Sequence, residues 1–254
     1  MSNENGYVVA HRKNNLVTIE FFHPLSNSLP SNLLSALAAL IKESGEDPSV
    51  VAIVLRSGGD RAFCGGASFD ELMAIEDEQQ GKSFFSGFAG VINAIRTCGK
   101  IVICRIQGKA VGGGVGIASA ADISLATQFA ALRLSELAVG IGPFVIGPAV
   151  ERKVGSSAFT YMSLTPDEWQ TADWAMQKGI YSKVFASVAD LDEYIDQLSE
   201  KFAHYNPQAL SDLKKVFWNG TEHWGELLSE RAEISGQLVL SPFTREAIAK
   251  FKTK

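Results

Sequence analysis

Hydrophobic positions along the chain change their period several times, and each change marks an element. Leu16 to Phe22 gathers β-branched and aromatic residues and predicts a strand. His23-Pro24-Leu25-Ser26-Asn27-Ser28-Leu29-Pro30 stops it with turn chemistry. Leu33, Leu34, Leu37, Leu40 and Ile41 then recur at helical spacing. They predict a helix over 32–44, with Ser31 as N-cap and Gly45 at its end. Val50 to Leu55 is a short continuous apolar run, the pattern of a strand buried on both faces. After a glycine-containing loop, Arg61 to Leu72, the acidic run Glu76-Asp77-Glu78-Gln79-Gln80 reads as a solvated loop. Phe84, Phe88, Val91, Ile92 and Ile95 predict a helix over 83–97, and Lys100 to Ile106 a further buried strand.

That strand delivers the chain to Gly108–Pro143, where the pattern is most unusual. Three consecutive glycines, Gly112 to Gly114, precede a helix of small residues and a second apolar strand. A lone glutamate, Glu136, follows in an otherwise apolar setting. Beyond Pro143 the texture turns helical. Helices are expected over 148–154, around 159–164, and over 167–178, 188–205, 207–218, 222–240 and 243–252, with breaks at Asn206-Pro207, Asn219-Gly220 and Ser241-Pro242. Alternating strands and helices followed by helices alone predict an α/β core over 1–188 and a helical C-terminal region over 189–254.

Composition narrows the class. With 254 residues, 46% apolar and 20% charged, the chain is of globular type and long enough for a substantial core. A net charge of −5 without a long basic run argues against nucleic acid as partner. Cys64, Cys98 and Cys104 are odd in number and lack ligand spacing, which favours reduced thiols in the cytoplasm. The N-terminus has no apolar core of a signal peptide. The longest apolar run, Leu137 to Val150, is about 14 residues, broken by Gly and Pro, and too short to span a membrane. His11, His23, His204 and His223 are scattered with no HExxH pair, and no GxSxG elbow exists, so neither a metal site nor a serine-hydrolase triad is expected.

The glycine run admits three readings. It can be a tight strand-to-helix turn where no side chain fits. It can be a dinucleotide site, although Ile117 and Ser119 stand where the fingerprint needs its third small residue. Or it can pair with the earlier turn Gly65-Gly66-Ala67. Two such turns, each near a helix start, put bare N–H groups toward a negative oxygen and form an oxyanion hole.

Two segments carry a more specific likeness. Ala62-Phe63-Cys64-Gly65-Gly66-Ala67, and Gly108-Lys109-Ala110-Val111-Gly112-Gly113-Gly114 followed by Ala121-Asp122-Ile123, resemble the signature of the enoyl-CoA hydratase/isomerase (crotonase) superfamily. Pro24, Asn27 and Leu29, and the run from Ala175 through Gly179-Ile180 to Val184, fit as well, so the resemblance covers nearly the whole chain. It implies a crotonase-like β-β-α spiral core and a helical C-terminal region used in assembly of a homotrimer or dimer of trimers. The implied substrate is an acyl-CoA thioester, with coenzyme A carried by the substrate and no separate cofactor. By position, the resemblance assigns oxyanion-hole N–H groups to Ala67 and Gly113, and substrate contacts to Gly66, Ser68, Gly112, Phe251 and Lys254.

Family members often place catalytic glutamates at two positions. One aligns with Glu136 and the other with Gly116, where this chain has no acid. Hydration uses two carboxylates well, whereas shifting a double bond from carbon 3 to carbon 2 needs one base. Gly140-Ile141-Gly142-Pro143-Phe144 also resembles a segment of single-glutamate Δ3,Δ2-enoyl-CoA isomerases, one residue shorter. The expectation is therefore Δ3→Δ2 isomerisation with Glu136 as acid/base. The alternatives are a one-glutamate hydratase and an acyl-CoA-binding subunit without catalysis.

Overall fold

Six strands form one sheet in the computed structural model, which describes residues 5–252. Their order is β1 (Tyr7–Lys13), β2 (Leu16–Phe22), β3 (Ala52–Ser57), β4 (Ile101–Ile106), β6 (Ile123–Thr127), β8 (Lys183–Phe185). β1 and β2 pair antiparallel across a short turn, and every later pairing is parallel. Parallel neighbours need crossovers, and helices supply them: α1 (Ser31–Glu46), α3 (Glu78–Thr97) and α4 (Gly113–Ala120). A second sheet of two short parallel strands, β5 (Ala110–Val111) and β7 (Leu132–Arg133), sits beside the glycine run.

The central strands are apolar on both sides because both faces are covered. All residues of β4 are buried, Arg105 among them. Arg105 escapes the cost of an unpaired buried charge by a fork-like pair with Asp192 at 2.6 and 2.9 Å. Asp192 lies on α7 (Val188–Ala203), and Leu191 and Ile195 of that helix close one face of the sheet over Val54, Ile103 and Leu125. On the other face α1 and α3 bury Leu34, Leu37, Ile41, Val91, Ile92 and Ile95 against Ile19, Ile53 and Leu55.

Several boundaries differ from the sequence expectation, each for a local reason. α1 begins at Ser31 itself, behind Pro30 as the cap residue, because the Ser31 hydroxyl and amide are engaged by the Glu71 carboxylate at 2.7 and 2.9 Å. The acidic run at 76–80 is a loop only at Glu76 and Asp77, and it is helical from Glu78. The Asp77 carboxylate accepts the Gln80 N–H and starts α3 five residues ahead of the expected 83. The helix expected over 167–178 contracts to α6 (Ala172–Gln177), capped by Thr171. The two helices expected over 148–154 and 159–164 are present within α5 (Gly147–Leu164), which is broken at Gly155 by non-helical dihedrals, φ +76° and ψ 162°. β1 and β8 were not expected, although β1 opens with the apolar run Tyr7-Val8-Val9-Ala10. Most of β1 is half or fully exposed, and β8 is three residues at an edge.

Beyond α7 come α8 (Pro207–Phe217), α9 (Trp224–Leu238) and α10 (Pro242–Lys252). α9 lies across α3 of the same chain, so tightly that a methyl at Gly81 would stand 2.7 Å from the Gly236 backbone. Val239 and Ile248 join Leu72, Ile75, Phe84 and Ile141 in a separate apolar cluster. The helical region thus packs over the chain's own core, beside the cavity described next.

Candidate active site

Ala67 is positioned by a single parallel bridge to Leu29. The Leu29 N–H donates to the Gly66 carbonyl at 2.8 Å, and the Ser68 N–H donates to the Leu29 carbonyl at 3.3 Å. In a parallel bridge the residue between those two bonds turns its own N–H to the opposite side. Ala67 therefore directs its amide away from Leu29. Gly66 lies immediately before it at φ +96°, and a Cβ there would meet the Val111 carbonyl at 3.2 Å and the Gly113 nitrogen at 3.9 Å. A side chain would wedge the two loops apart and strain the turn, so glycine is required on both counts.

Gly113 opens α4, where the first amides have no intrahelical acceptor. Its predecessor Gly112 takes φ +52° and ψ −117°, with its N–H held by the Arg133 carbonyl at 3.0 Å. That conformation suits only glycine, and space demands it too. A Cβ on Gly112 would stand 2.9 Å from Glu136 Oε1. Gly66, Ala67, Gly112, Gly113 and Glu136, all singled out in the sequence, are thus brought together at one point.

All five line a cavity of about 540 Å³ whose walls are otherwise mainly apolar, with Phe84, Phe85, Phe88, Val139, Ile141 and Ile146 prominent. Glu136 begins a 3-10 turn, Glu136–Val139, closed by Gly140 in the left-handed region at φ +80°. Its Oε2 lies out of solvent with no hydrogen-bond partner among the described residues. Burial pushes its pKa up to about 7, and the nearby backbone amides of Glu136 and Ser135 pull it only part of the way back. Such a carboxyl exchanges a proton near neutral pH, where a general acid or base is most effective.

The aligned position of the second family glutamate is closed. A Cβ on Gly116 would stand 2.5 Å from Ile146 Cγ2 and 2.7 Å from Ile146 Cβ. Ile146 comes from the start of α5, so the isoleucine fills the volume beside α4. One further carboxylate, Asp167, lines the cavity from the loop after α5, and Arg133 lines it from β7. Neither stood out in the sequence, because each reaches the cavity from a segment whose path depends on the whole fold.

The remaining expected contacts fall elsewhere. Ser68 is not on the cavity wall; its hydroxyl accepts the Glu71 N–H and caps α2 (Phe69–Met73), whose Phe69 and Leu72 do line the cavity. Phe251 and Lys254 lie outside the residues whose side chains are described. Cys64 braces the turn at Gly66: its buried Sγ accepts the Gly66 N–H at 3.4 Å, and burial pushes the thiol up to about 12, which keeps it unreactive. Among the described residues no group of His, Cys, Asp and Glu is arranged to hold a metal ion. No helix there is long and apolar enough to cross a membrane.

Comparison with known proteins settles what this geometry belongs to. The family model for enoyl-CoA hydratase/isomerase matches residues 11–251. The chain belongs to the enoyl-CoA hydratase/isomerase family. A mitochondrial enoyl-CoA hydratase of Pongo abelii is 32% identical over 242 residues, covering 93% of this chain and 80% of that protein. A peroxisomal Δ(3,5)-Δ(2,4)-dienoyl-CoA isomerase of Arabidopsis thaliana is 26% identical over 211 residues, 77% of this chain and 74% of that one. The crystal structure of an enoyl-CoA hydratase from Bacillus halodurans superposes with a TM-score of 0.89 at 19% identity, covering 96% of this chain and 99% of that one. The fold is therefore the crotonase fold. The protein is an enzyme of a family that acts on acyl-CoA thioesters.

Proposed function

We propose that this enzyme isomerises a 3-enoyl-CoA to the conjugated 2-enoyl-CoA with Glu136 as its one proton carrier. The observation that carries the reading is the closed face at Gly116, where Ile146 occupies the volume a second glutamate would need. The thioester carbonyl accepts hydrogen bonds from the Ala67 and Gly113 amides. The ionised Glu136 takes a proton from carbon 2, and the electron pair spreads through the enolate onto the carbonyl oxygen. Each hole donor is worth roughly 2.7–4 kcal/mol as that charge develops. Glu136 then returns the proton at carbon 4, the double bond comes to rest between carbons 2 and 3, and the carboxylate is regenerated. No water enters, and an apolar wall suits that requirement.

Hydration by the same single carboxylate is the second reading, favoured by relatives named as hydratases, including a probable enoyl-CoA hydratase of Bacillus subtilis at 26% identity. Assays of 3-enoyl-CoA and 2-enoyl-CoA esters in ¹⁸O-labelled water separate the two. Isomerisation gives a 2-enoyl product with no label, and hydration gives a labelled 3-hydroxyacyl ester. Labelled product as the main outcome rejects the isomerase assignment. Binding of the esters without either reaction would instead leave a non-catalytic acyl-CoA-binding subunit.

We also infer a homotrimer or dimer of trimers built through the helical region at 189–254. The exposed apolar side chains of Leu213, Val216 and Phe217 on α8 support it. Sedimentation equilibrium tests the state directly. Coenzyme A enters with the substrate and no resident cofactor is needed, and the three buried free thiols suit a reducing cytoplasm.

A further inference from the structure

Arg133 stands on the cavity wall with no counter-charge among the described residues. Its backbone is fixed twice over: β7 registers Arg133 opposite Val111, and its carbonyl holds the Gly112 N–H at 3.0 Å. The strand is tied on its other side by a bridge between Leu132 and Gln170. That bridge brings Trp169 under the guanidinium, with 4.6 Å from Arg133 Cζ to the ring centroid. Lys109 shares the same ring at 4.7 Å. The stacking sets the plane of the guanidinium and leaves its edge to find acceptors.

The protein offers none. Nε of Arg133 is out of solvent with no hydrogen-bond partner, and no ion pair engages the side chain among the described residues. Asp167 lines the same cavity yet is not paired with it. A covered cationic donor left without an acceptor is costly, and a site built to bind an anion is the usual reason to keep one. Burial and backbone amides are the main causes of the shift of Glu136.

We propose that Arg133 is a specificity residue that receives a carboxylate carried on the acyl chain, so that the preferred substrates are thioesters of dicarboxylic acids. Planar guanidinium and carboxylate match in a bidentate pair, on a wall the ligand shares with Glu136 and the oxyanion donors. The rest of the lining is largely aliphatic and aromatic and suits the carbons between thioester and carboxylate. The assignment rests on the acyl-CoA reading of the cavity.

Isothermal titration of the full chain with butyryl-CoA and glutaryl-CoA tests it, each repeated with the pantetheine thioester, which lacks the nucleotide phosphates. Wild type is expected to bind glutaryl-CoA more tightly than butyryl-CoA. Arg133→Gln should lose about 10- to 100-fold for the glutaryl esters and less than about threefold for the butyryl esters, the size of a charged hydrogen-bonded pair. Arg133→Lys should recover part of the loss. Unchanged butyryl binding shows that the variant is folded. An equal loss for both CoA esters that disappears with the pantetheine esters would assign Arg133 to a nucleotide phosphate and overturn the proposal, as would no loss at all. If wild type binds neither CoA ester, the acyl-CoA reading itself has failed and this assignment falls with it.

Discussion

Asp122 and Glu136 both turn carboxylate oxygens inward, and they are treated in opposite ways. Asp122, at the entry to β6, is 4% exposed at its side chain and fully engaged. Oδ2 accepts the Val102 N–H at 2.8 Å and Lys214 Nζ at 2.9 Å, and Oδ1 accepts Trp218 Nε1 at 2.9 Å. Lys214, itself 3% exposed, also donates to the Lys100 carbonyl at 2.7 Å. The network pins α8 against the start of β4, and Trp218 carries Arg152 on its ring at 4.3 Å. Glu136 has no counter-charge, and one of its oxygens has no donor. An acid whose two oxygens are both held by donors is a strut, because withdrawing it would break several bonds at once. One left unanswered keeps its proton up to near-neutral pH, where it can still be exchanged, and has room for a ligand. The contrast lies in the partners the fold supplies, since both are carboxylates in largely apolar surroundings.

Removing each acid's function should separate the roles. Glu136→Gln keeps the shape and loses the proton carrier, so turnover should fall by about 10²–10⁴-fold with little change in ester binding. Steady-state kinetics beside titration of a saturated ester checks this, and undiminished turnover would sink the role given to Glu136. Lys214→Met leaves Asp122 charged and unpaired and should cost about 3–5 kcal/mol of stability, read from denaturant unfolding. Turnover per folded molecule should hardly change. A strong loss of turnover in the folded fraction would mean that the strut also serves the site.

Acidity gives a finer test. With Glu136 as the proposed base, kcat/KM should rise with pH through about 7 and level off above it. Stability runs the other way. Between the ordinary carboxylate range and about 7 the folded protein keeps a proton that the unfolded chain has lost. Stability therefore falls as pH rises across that window, by up to about 3 kcal/mol from this group. Glu136→Gln removes that slope, so its melting temperature relative to wild type should climb between pH 5 and pH 8. A constant offset across that range would show that the carboxyl is not raised. The smallest effect concerns the closed face. Gly116→Ala should cost roughly 1–3 kcal/mol by overpacking against Ile146, and adding Ile146→Ala should return part of it. No coupling between the two positions in a double-mutant cycle would dispose of the steric account.

Much of this was legible in the chain itself. The apolar runs at β2, β3 and β4 announced a buried sheet, and the helical spacing of Phe84 to Ile95 announced the helix that covers it. The glycines at 66, 112 and 113 and the lone Glu136 were visible as departures from ordinary patterning, because only a special backbone or a special chemistry keeps such residues. Even the Ala121-Asp122-Ile123 signature has a plain physical content, since Asp122 is the hub that receives Lys214 and Trp218 from about 90 residues away.

What the sequence could not contain was who meets whom. Burial of Glu136 depends on the 3-10 turn, on Gly112 and on the aromatic wall of α3, and no periodicity encodes that enclosure. The absence of an acid at Gly116 was readable, but its replacement by Ile146 was not. Nor was the arrival of Arg133 and Asp167 on the same wall, or the return of α9 across α3. Local pattern fixes which residues prefer water and which conformations the backbone tolerates. Proton affinity, unpaired charge and filled volume are properties of neighbours, and the tertiary structure alone chose them.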